Sequence, residues 1–284
     1  MKIVAAIREM QDIARGQRLK GDTIGFVPTM GFLHEGHLSL IRLAKSRADK
    51  IITSIFVNPT QFGPGEDFSR YPRNLKGDTQ LADSAGSDYL FVPEGADIYP
   101  EGYGTFVQVE EMTAVLEGKS RPTHFRGVTT VVAKLLNIIQ PDVAVFGQKD
   151  AQQVVVIKKM VRDLNMGVEI VVGPIVREPD GLAMSSRNVY LSPTERTESR
   201  VLYQSLLQAR DLVLKGERRG SVVIDAMKKT ISTVPSAAID YISVSDPETL
   251  RDISTIKEGS SVLVSLAVRF GTTRLIDNIL LTIS

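Results

Sequence analysis

Short apolar runs alternate with longer amphipathic stretches through about the first 175 residues of the chain. The runs are rich in β-branched and aromatic residues and are bounded by Gly, Pro, Asn or Asp, as is typical of buried strands. They predict strands at Ile24–Val27, Ile51–Val57, Tyr89–Val92, Val143–Phe146 and Val168–Val172. Apolar residues at helical spacing predict helices between them, at Leu38–Ala48, Val128–Ile139 and Val154–Leu164. This alternation predicts an α/β fold in which helices cover both faces of a parallel sheet.

The pattern changes after Pro174. The segment Ser192–Glu195 is typical of a helix start, with a serine N-cap, proline at the first helical position and glutamate at the third. Helical spacing continues through Leu202, Leu206, Ala209 and Val213, and a second helix is predicted at Val222–Ile231. Three strand-like segments then follow in a row, at Ile239–Val244, Val262–Val268 and Arg274–Leu280. We therefore predict a first domain at residues 1–175 and a small C-terminal α+β domain at residues 176–284.

Composition narrows the kinds of partner. The net charge is only +1 and no dense basic stripe is present, so we expect small-molecule partners and no nucleic acid. No apolar run approaches the roughly 20 residues that span a bilayer, and the first ten residues lack the apolar core of a secretory signal. The chain has no cysteine, which excludes disulfides and thiolate nucleophiles and agrees with a cytoplasmic location.

Two of the three histidines, His34 and His37, follow the first predicted strand, where a helix begins near Gly36. A helix N-terminus offers free N–H groups and a positive dipole end, and it therefore suits a phosphate. An imidazole pair there can bind a triphosphate and stabilise departing pyrophosphate. Two alternatives stay open. The histidines are ordinary core or surface residues, or they bind a metal with His124, although the helical zinc pattern needs a spacing of four residues instead of three.

Polar residues also follow the second and fourth predicted strands. Asn58 and Gln61 are amides that can bind a hydroxyl or a carboxylate, although Asn58 can equally stabilise a turn by bonding its own backbone. After the fourth strand, Lys149 can point at phosphate, whereas Asp150 can hold a ribose hydroxyl or cap the next helix. These loops should lie together, because ligands bind beyond the carboxyl ends of parallel strands.

A long polar loop, Arg177–Asn188, can fold over a triphosphate with Arg187 forked onto its oxygens. The alternative is an exposed linker between the two domains. The chain has neither a GxxxxGK[ST] loop nor a GxGxxG motif after a strand. A nucleotide site here is therefore neither a P-loop nor a dinucleotide-dehydrogenase site.

In this order and spacing, five motifs resemble those of the pantoate–β-alanine ligase family: PTMGFLHEGHLSL, SIFVNPTQFGPGEDFSRYPR, RPTHFRGV, FGQKDAQQ and DGLAMSSRN. The resemblance covers about residues 1–190 and continues more loosely to the end. It implies a Rossmann-like N-terminal domain, a small C-terminal domain and a homodimer. Family members use ATP and magnesium to convert pantoate into pantoyl adenylate, and β-alanine then displaces AMP to give pantothenate.

The resemblance also implies roles for particular residues. It places ATP at Met30, Gly31, Phe32, Leu33, His34, Glu35, Gly36, His37, Gly147, Gln148, Lys149, Asp150, Val176, Met184, Ser185, Ser186 and Arg187. The catalytic residues among these are His37, matching a proton donor, its phosphate-binding partner His34, and Lys149 and Arg187. It places pantoate and β-alanine at Gln61, Gln153, Met30, Asn58, Tyr71 and Arg121. The histidine and Ser-Ser-Arg segments are also similar to the two signatures of class I aminoacyl-tRNA synthetases.

The resemblance names no protein ligand for magnesium. Some family members have an acidic pair after the YPR motif, whereas Lys76-Gly77-Asp78 leaves only Asp78 here. We expect the nucleotide phosphates to hold the ion. Three other functions stay open: a plain adenylyltransferase, an ATP-sensing module and a histidine-ligated metallohydrolase. Gln61 and Gln153 favour the ligase over the adenylyltransferase, because uncharged amides suit a small polyol acid better than a second phosphate.

Overall fold

A computed structural model describes residues 1–283. Its larger sheet has six strands in the order β1-β4-β3-β2-β5-β6, and every neighbouring pair is parallel. The strands are β1 (Lys2–Val4), β2 (Ile24–Thr29), β3 (Lys50–Ile55), β4 (Tyr89–Phe91), β5 (Val143–Gly147) and β6 (Glu169–Gly173). The parallel sheet and the five predicted strands are confirmed. The pattern does not predict β1, because this strand has three residues and buries only one of them.

Seven helices belong to this part of the described chain: α1 (Ile7–Leu19), α2 (Glu35–Lys45), α3 (Leu75–Ser84), α4 (Gly95–Ile98), α5 (Glu117–Ser120), α6 (His124–Ile139) and α7 (Ala151–Asp163). The predictions of α2, α6 and α7 are confirmed. The pattern does not predict α1 or α3, because each buries only two or three side chains and one of those is polar, Gln17 in α1 and Asp78 in α3. No helix within residues 1–283 is both long and apolar enough to span a membrane.

Apolar side chains of the central strands alternate between the two faces of the sheet. Phe26 and Ala144 pack with α1, α6 and α7, whereas Val27 and Val145 pack with α2 and α3. A parallel strand in the middle of such a sheet is buried on both faces, which explains its nearly continuous apolar sequence. The prediction that helices cover both faces is confirmed.

The C-terminal part contains α8 (Pro193–Glu198), α9 (Val201–Leu214), α10 (Gly220–Ile231), β7 (Ala237–Ser245), β8 (Ser261–Phe270) and β9 (Thr273–Thr282). The three strands form an antiparallel sheet around a core of their own with α9 and α10. The predicted cap is present, since Ser192 Oγ accepts the Glu195 N–H and the Glu195 carboxylate accepts the Ser192 N–H. The small α+β unit is confirmed, and the boundary between residues 175 and 176 stays a prediction.

Strand β9 joins the small sheet to the end of β5. Asn278 Nδ2 donates to the carbonyl oxygens of Gln148 and Lys149, at 3.0 Å each. Gln148 Nε2 returns a bond of 3.0 Å to Asn278 Oδ1. Arg177 also makes a two-pronged ion pair with the buried Asp277. The C-terminal unit therefore holds the backbone that carries Lys149.

The strand order creates a crevice at the carboxyl ends of β2 and β5. These strands are neighbours, yet the chain leaves β2 toward β3 on one side and leaves β5 toward β6 on the other. Such a switch point is where open α/β sheets bind their ligands. The loops after β2, β3, β5 and β6 contain most of the residues that the sequence singles out.

Candidate active site

A cavity of about 560 Å³ occupies this crevice and extends to the C-terminal sheet. Its size is typical of small-molecule sites. Its lining contains the predicted site residues Met30, His34, Gly36, His37, Asn58, Gln61, Tyr71, Arg121, Gly147, Lys149, Asp150, Gln153, Val176, Met184, Ser185, Ser186 and Arg187. The other predicted residues, Gly31, Phe32, Leu33, Glu35 and Gln148, do not line it. Glu35 is paired with Arg42 on the surface, and the Gln148 side chain binds Asn278.

A buried carboxylate fixes the conformation of the loop after β2. Gly31 and Phe32 both have positive φ, 83° and 51°, which turns the chain sharply before α2. Asp78 Oδ2 accepts the Phe32 N–H at 2.8 Å, and Asp78 Oδ1 accepts the Leu33 N–H at 2.7 Å. Both oxygens of Asp78 are therefore engaged by backbone, and the residue supports the loop that presents His34.

The two histidines cap the helix that they begin. His34 is the N-cap of α2, and its Nδ1 accepts the Gly36 N–H at 3.2 Å. His37 Nδ1 accepts the His34 N–H at 3.3 Å, and the ring centroids lie 4.1 Å apart. Since each Nδ1 is an acceptor, each neutral ring carries its proton on Nε2. The pair therefore offers two N–H donors beside a helix N-terminus.

Both rings are held neutral. Burial, followed by the charge of Lys149, lowers the pKa of His34 to about 4. Burial, together with His34 and Lys149, also places the pKa of His37 well below its ordinary value. Positive charge and low solvation disfavour a second proton on either ring. An arriving polyphosphate would offset the positive charge of Lys149, and it would accept hydrogen bonds from both rings.

The loop after β5 contributes a lysine and a carboxylate. Lys149 Nζ lies 3.8 Å from Asp150 Oδ1 in a short 3-10 turn that leads into α7. Asp150 is the N-cap position of α7, yet its side chain makes no capping hydrogen bond. The capping alternative for Asp150 is therefore wrong, and its half-exposed carboxylate faces the cavity.

The segment from Arg177 to Asn188 is folded and is not an exposed linker: a hairpin ends at Met184, and a 3-10 helix at Ser186–Tyr190 follows it. Met184 N–H donates to Val176 O at 3.0 Å, and an isolated bridge pairs Arg177 with Ala183. Ser186 Oγ donates to Phe32 O at 3.2 Å, which ties this segment to the histidine loop. The four residues Met184, Ser185, Ser186 and Arg187 consequently form one wall of the cavity.

The loop after β3 forms another wall of the cavity. A 3-10 turn at Pro59–Gln61 begins at Asn58, whose Oδ1 accepts from Thr60 and from the Tyr99 hydroxyl. Asn58 Nδ2 donates to Gln61 Oε1 and to Gly127 O, at 3.1 Å each. All polar atoms of the Asn58 side chain thus have protein partners, which fits the turn-stabilising alternative and makes this residue a support for Gln61.

His124 is a third buried imidazole, and it supports the same wall. Its Nδ1 donates to Gln61 O at 2.9 Å, and its Nε2 accepts from Arg121 at 3.2 Å. Burial and the Arg121 charge lower its pKa to about 4. Because both ring nitrogens are in use, His124 is a positioning residue. Within residues 1–283 no group of three His, Cys, Asp or Glu side chains is arranged to hold a metal ion.

The comparison with known proteins decides the family. A family model described as pantoate-beta-alanine ligase matches residues 2–280 of the chain. The chain belongs to the pantoate–β-alanine ligase family. This is a family of ATP-dependent ligases that join pantoate to β-alanine to form pantothenate.

Relatives of known name agree over the full length of the chain. Pantothenate synthetases from Acetivibrio thermocellus and Heliobacterium modesticaldum are 55% and 54% identical, each over 100% of both chains. The solved pantothenate synthetase of Thermus thermophilus is 46% identical with a TM-score of 0.92, covering 98% of this chain and 99% of that one. The pantoate–β-alanine ligase of Francisella tularensis, solved in complex with beta-gamma ATP and β-alanine, is 38% identical with a TM-score of 0.80, covering 99% and 97%.

Sequence reasoning named Asp78 only in connection with magnesium, and it missed the acidic partners of the arginines in the ligase site. Asp78 supports the β2 loop, and Glu66, Asp67 and Glu117 each pair with an arginine of the cavity lining. For Asp78 a usable signal exists, because it stands one turn after an asparagine cap on the buried face of a short helix. For the others the partner is distant in sequence, and no local pattern predicts it.

We expect Asp78→Asn to weaken both the fold and the ATP site. An amide NH₂ would then face a backbone N–H, leaving a buried donor unpaired at a cost of about 1–3 kcal/mol in the free energy of unfolding. A displaced histidine loop should also lower kcat/KM for ATP by roughly 10²-fold. Urea unfolding and steady-state kinetics measure the two effects.

Asp83→Asn is the matched control for that change. Asp83 lies on the same helix, is exposed and pairs only with the N-terminal amino group. We expect it to leave both quantities near their wild-type values. If excess magnesium restored the Asp78→Asn activity, the carboxylate would be a metal ligand and its assignment to loop support would be wrong.

The neutral histidines should make the fold sensitive to mild acid. The pKa of His124 is near 4 in the folded chain against about 6.5 when unfolded, so the unfolded state binds more protons between these values. Stability therefore falls as the pH drops below about 6.5, by about 2 kcal/mol for such a residue between pH 7 and pH 5. Urea unfolding at both values should show a smaller loss in His124→Gln than in wild type. An equal loss would contradict this origin.

Proposed function

We propose that this chain adenylates pantoate with ATP and then transfers the pantoyl group to β-alanine, giving pantothenate, AMP and pyrophosphate. Membership of the ligase family supports the overall reaction. The observation that carries the residue assignment is one cavity whose lining contains two kinds of polar group. These are groups able to bind phosphate, at His34, His37 and Lys149, and the uncharged amides of Gln61 and Gln153.

In this proposal, charge stabilisation is the main contribution of the protein to adenylation. The pantoate carboxylate attacks the α-phosphorus of ATP, the bond from that phosphorus to the bridging oxygen breaks, and pyrophosphate leaves with the electron pair. His34, His37 and Lys149 meet this developing charge together with the N-terminus of α2. Arg187 completes the catalytic set once its side chain is free to bind phosphate.

The rest of the nucleotide site is backbone and short side chains. It lies in the lining of the same cavity, at Met30, Gly36, Gly147, Val176, Met184, Ser185 and Ser186. The remaining proposed ATP residues do not line the cavity. Gly31, Phe32 and Leu33 shape the histidine loop, and Glu35 follows His34 in the chain. The Gln148 side chain binds Asn278. We keep all of them in the proposed ATP site, as supports or backbone contacts.

The second half-reaction, acyl transfer to β-alanine, depends more on how the reactants are positioned than on a general base. The neutral β-alanine amine attacks the acyl carbon of pantoyl adenylate, and AMP leaves as the amide bond forms. Gln61 and Gln153 are proposed to hold pantoate, with Met30, Asn58, Tyr71 and Arg121 completing the pocket. No covalent intermediate with the protein is required, and alignment of the two reactants provides the main acceleration.

Magnesium fits the cavity as part of a nucleotide complex. Five carboxylates line the cavity, and within residues 1–283 Asp150 is the one that lacks an arginine partner. A carboxylate that is paired only with the neighbouring Lys149, together with phosphates, matches the usual surroundings of this ion. We propose Asp150 as its contact with the protein, where the bound ion would neutralise phosphate charge. We also propose that the ligase is a homodimer that works in the cytoplasm.

Incubation with ATP, magnesium and pantoate, with and without β-alanine, tests this function. We expect steady AMP formation with both substrates, and pantoate-dependent exchange of pyrophosphate into ATP without β-alanine. A plain adenylyltransferase would transfer AMP without forming an amide. AMP formation that ignores pantoate would refute the proposal.

A further inference from the structure

Two adjacent carboxylates on the segment after the Gln61 turn each bind an arginine of the cavity. Glu66 accepts from Arg121, with Nε to Oε1 at 2.7 Å and the second nitrogen to Oε2 at 2.6 Å. Asp67 accepts from Arg187, with Nε to Oδ2 at 2.9 Å and the second nitrogen to Oδ1 at 3.0 Å. Both pairs are two-pronged, so each carboxylate occupies one whole edge of a guanidinium.

These ion pairs are sheltered from water. The Asp67 side chain is 15% exposed and the Arg121 side chain is 16% exposed. Burial raises the pKa of Glu66, but the hydrogen bonds and charge of Arg121 outweigh it, and the net pKa is lowered. The Glu66–Arg121 pair therefore stays charged, and separating either sheltered pair without a replacement ion is costly.

We propose that Glu66 and Asp67 are internal stand-ins for substrate anions, which hold Arg121 and Arg187 in the ligand-free ligase and release them when substrates bind. This inference rests on the proposed function, which assigns Arg187 to ATP phosphate and Arg121 to the pantoate and β-alanine pocket. We call the two ion pairs together the carboxylate latch. The latch connects the segment Gly63–Arg70 to the wall formed by Met184, Ser185, Ser186 and Arg187, and to the turn between α5 and α6 that carries Arg121.

The geometry favours exchange over simultaneous binding. A phosphate binds a guanidinium through the same kind of two-pronged edge that a carboxylate uses. Asp67 fills the edge formed by Nε and one terminal nitrogen of Arg187, while the Tyr71 ring lies 5.6 Å from the guanidinium carbon. Arg121 Nη1 donates to His124 Nε2, and Nη2, which binds Glu66, also donates to Gln61 O. An entering anion that takes the two-pronged edge must therefore displace the carboxylate.

The latch lowers the apparent affinity for each anion by the fraction of time that its arginine is free. If an arginine is released for about one tenth of the time, its anion binds about tenfold more weakly than it would to an unlatched site. In return, a dehydrated, unpaired arginine is present in the empty cavity only for that fraction of the time. The two carboxylates also act on different substrates, since Asp67 holds the arginine assigned to ATP and Glu66 holds the arginine assigned to the pantoate and β-alanine pocket.

Isosteric variants of the full-length chain test the latch through ligand binding. Asp67→Asn should bind inorganic pyrophosphate about tenfold more tightly than wild type, and Glu66→Gln should bind pantoate more tightly by a similar factor, both measured by titration calorimetry. Asp180→Asn is the matched control, because Asp180 also makes a two-pronged pair with an arginine, through both terminal nitrogens of Arg196, but does not line the cavity. It should change neither affinity.

The pattern across ligands separates the latch from a general charge effect. Loss of any nearby negative charge would tighten both anions in both variants, whereas the latch makes each ligand respond to its own carboxylate. The pyrophosphate gain should also vanish in Asp67→Asn combined with Arg187→Gln. Equal gains in both variants, or an unchanged or weaker affinity in Asp67→Asn, would overturn the proposal. Failure of the proposed function would instead appear as wild-type AMP formation that does not depend on pantoate.

Discussion

Replacing His37 with alanine is expected to lower the rate of pantoyl-adenylate formation about 10²–10³-fold, which is the usual cost of losing one group that stabilises transition-state charge. His37 has its Nδ1 bound to the His34 N–H, so its free donor is Nε2. Burial, together with His34 and Lys149, lowers the pKa of the ring and keeps it neutral before ATP arrives. The ring can therefore gain stabilising contacts as pyrophosphate charge develops, and alanine offers none.

The His37 side chain also caps α2, and a second variant separates the two roles. Glutamine at the third helical position can keep the reciprocal cap, because it reaches back to the N-cap N–H. We expect His37→Gln to unfold at nearly the wild-type temperature. Its rate of pantoate-dependent pyrophosphate exchange should still be lower than that of wild type by roughly 10²-fold or more. Near wild-type exchange in either variant would make the catalytic assignment of His37 wrong.

Much of the fold was predictable because its strands carry a strong signal. Central strands such as β2 and β5 pack apolar side chains on both faces, and this produces short continuous runs that stand out from their surroundings. The helices and strands that the sequence does not predict lack such an apolar pattern. Helix α3 buries an aspartate instead of an apolar stripe, and β1 is too short to show a period. Tertiary contacts, and not local preference, define both.

The site was predictable as a set of loops but not as a network. Parallel strands bring their carboxyl ends together, so residues after β2, β3, β5 and β6 had to meet. What the sequence does not contain is the choice of partner for each charge. Arg187 pairs with Asp67 across 120 positions, and Arg274 pairs with Glu117 across 157. Such pairs depend on the packing of whole units, and the carboxylate latch is visible only in three dimensions.

The importance of a glycine is equally hard to predict, because the sequence does not show which atoms pack against it in the fold. Gly127 lies in the first turns of α6 and packs against the 3-10 turn that carries Gln61. A methyl group there would lie 2.4 Å from Thr60 O and 2.6 Å from Gln61 N, both of them backbone atoms. These atoms cannot rotate away as a side chain could. The turn itself must move, by about 1 Å to reach ordinary contact.

Gly127→Ala should therefore lower kcat/KM for pantoate about 10²-fold, since a shift of about 1 Å in a positioning group has this effect. Helix propensity alone would make the alanine variant more stable, by about 0.5–1 kcal/mol in the free energy of unfolding, with no loss of activity. Gly16→Ala is the matched control, because Gly16 is also helical and a methyl group there meets nothing within 4 Å. We expect Gly16→Ala to gain stability and keep full activity, whereas Gly127→Ala loses pantoate binding more than ATP binding. If Gly127→Ala behaved like Gly16→Ala in both assays, Gln61 would not depend on this contact, and the support that α6 provides to the pantoate wall would have to come from Asn58 and His124 alone.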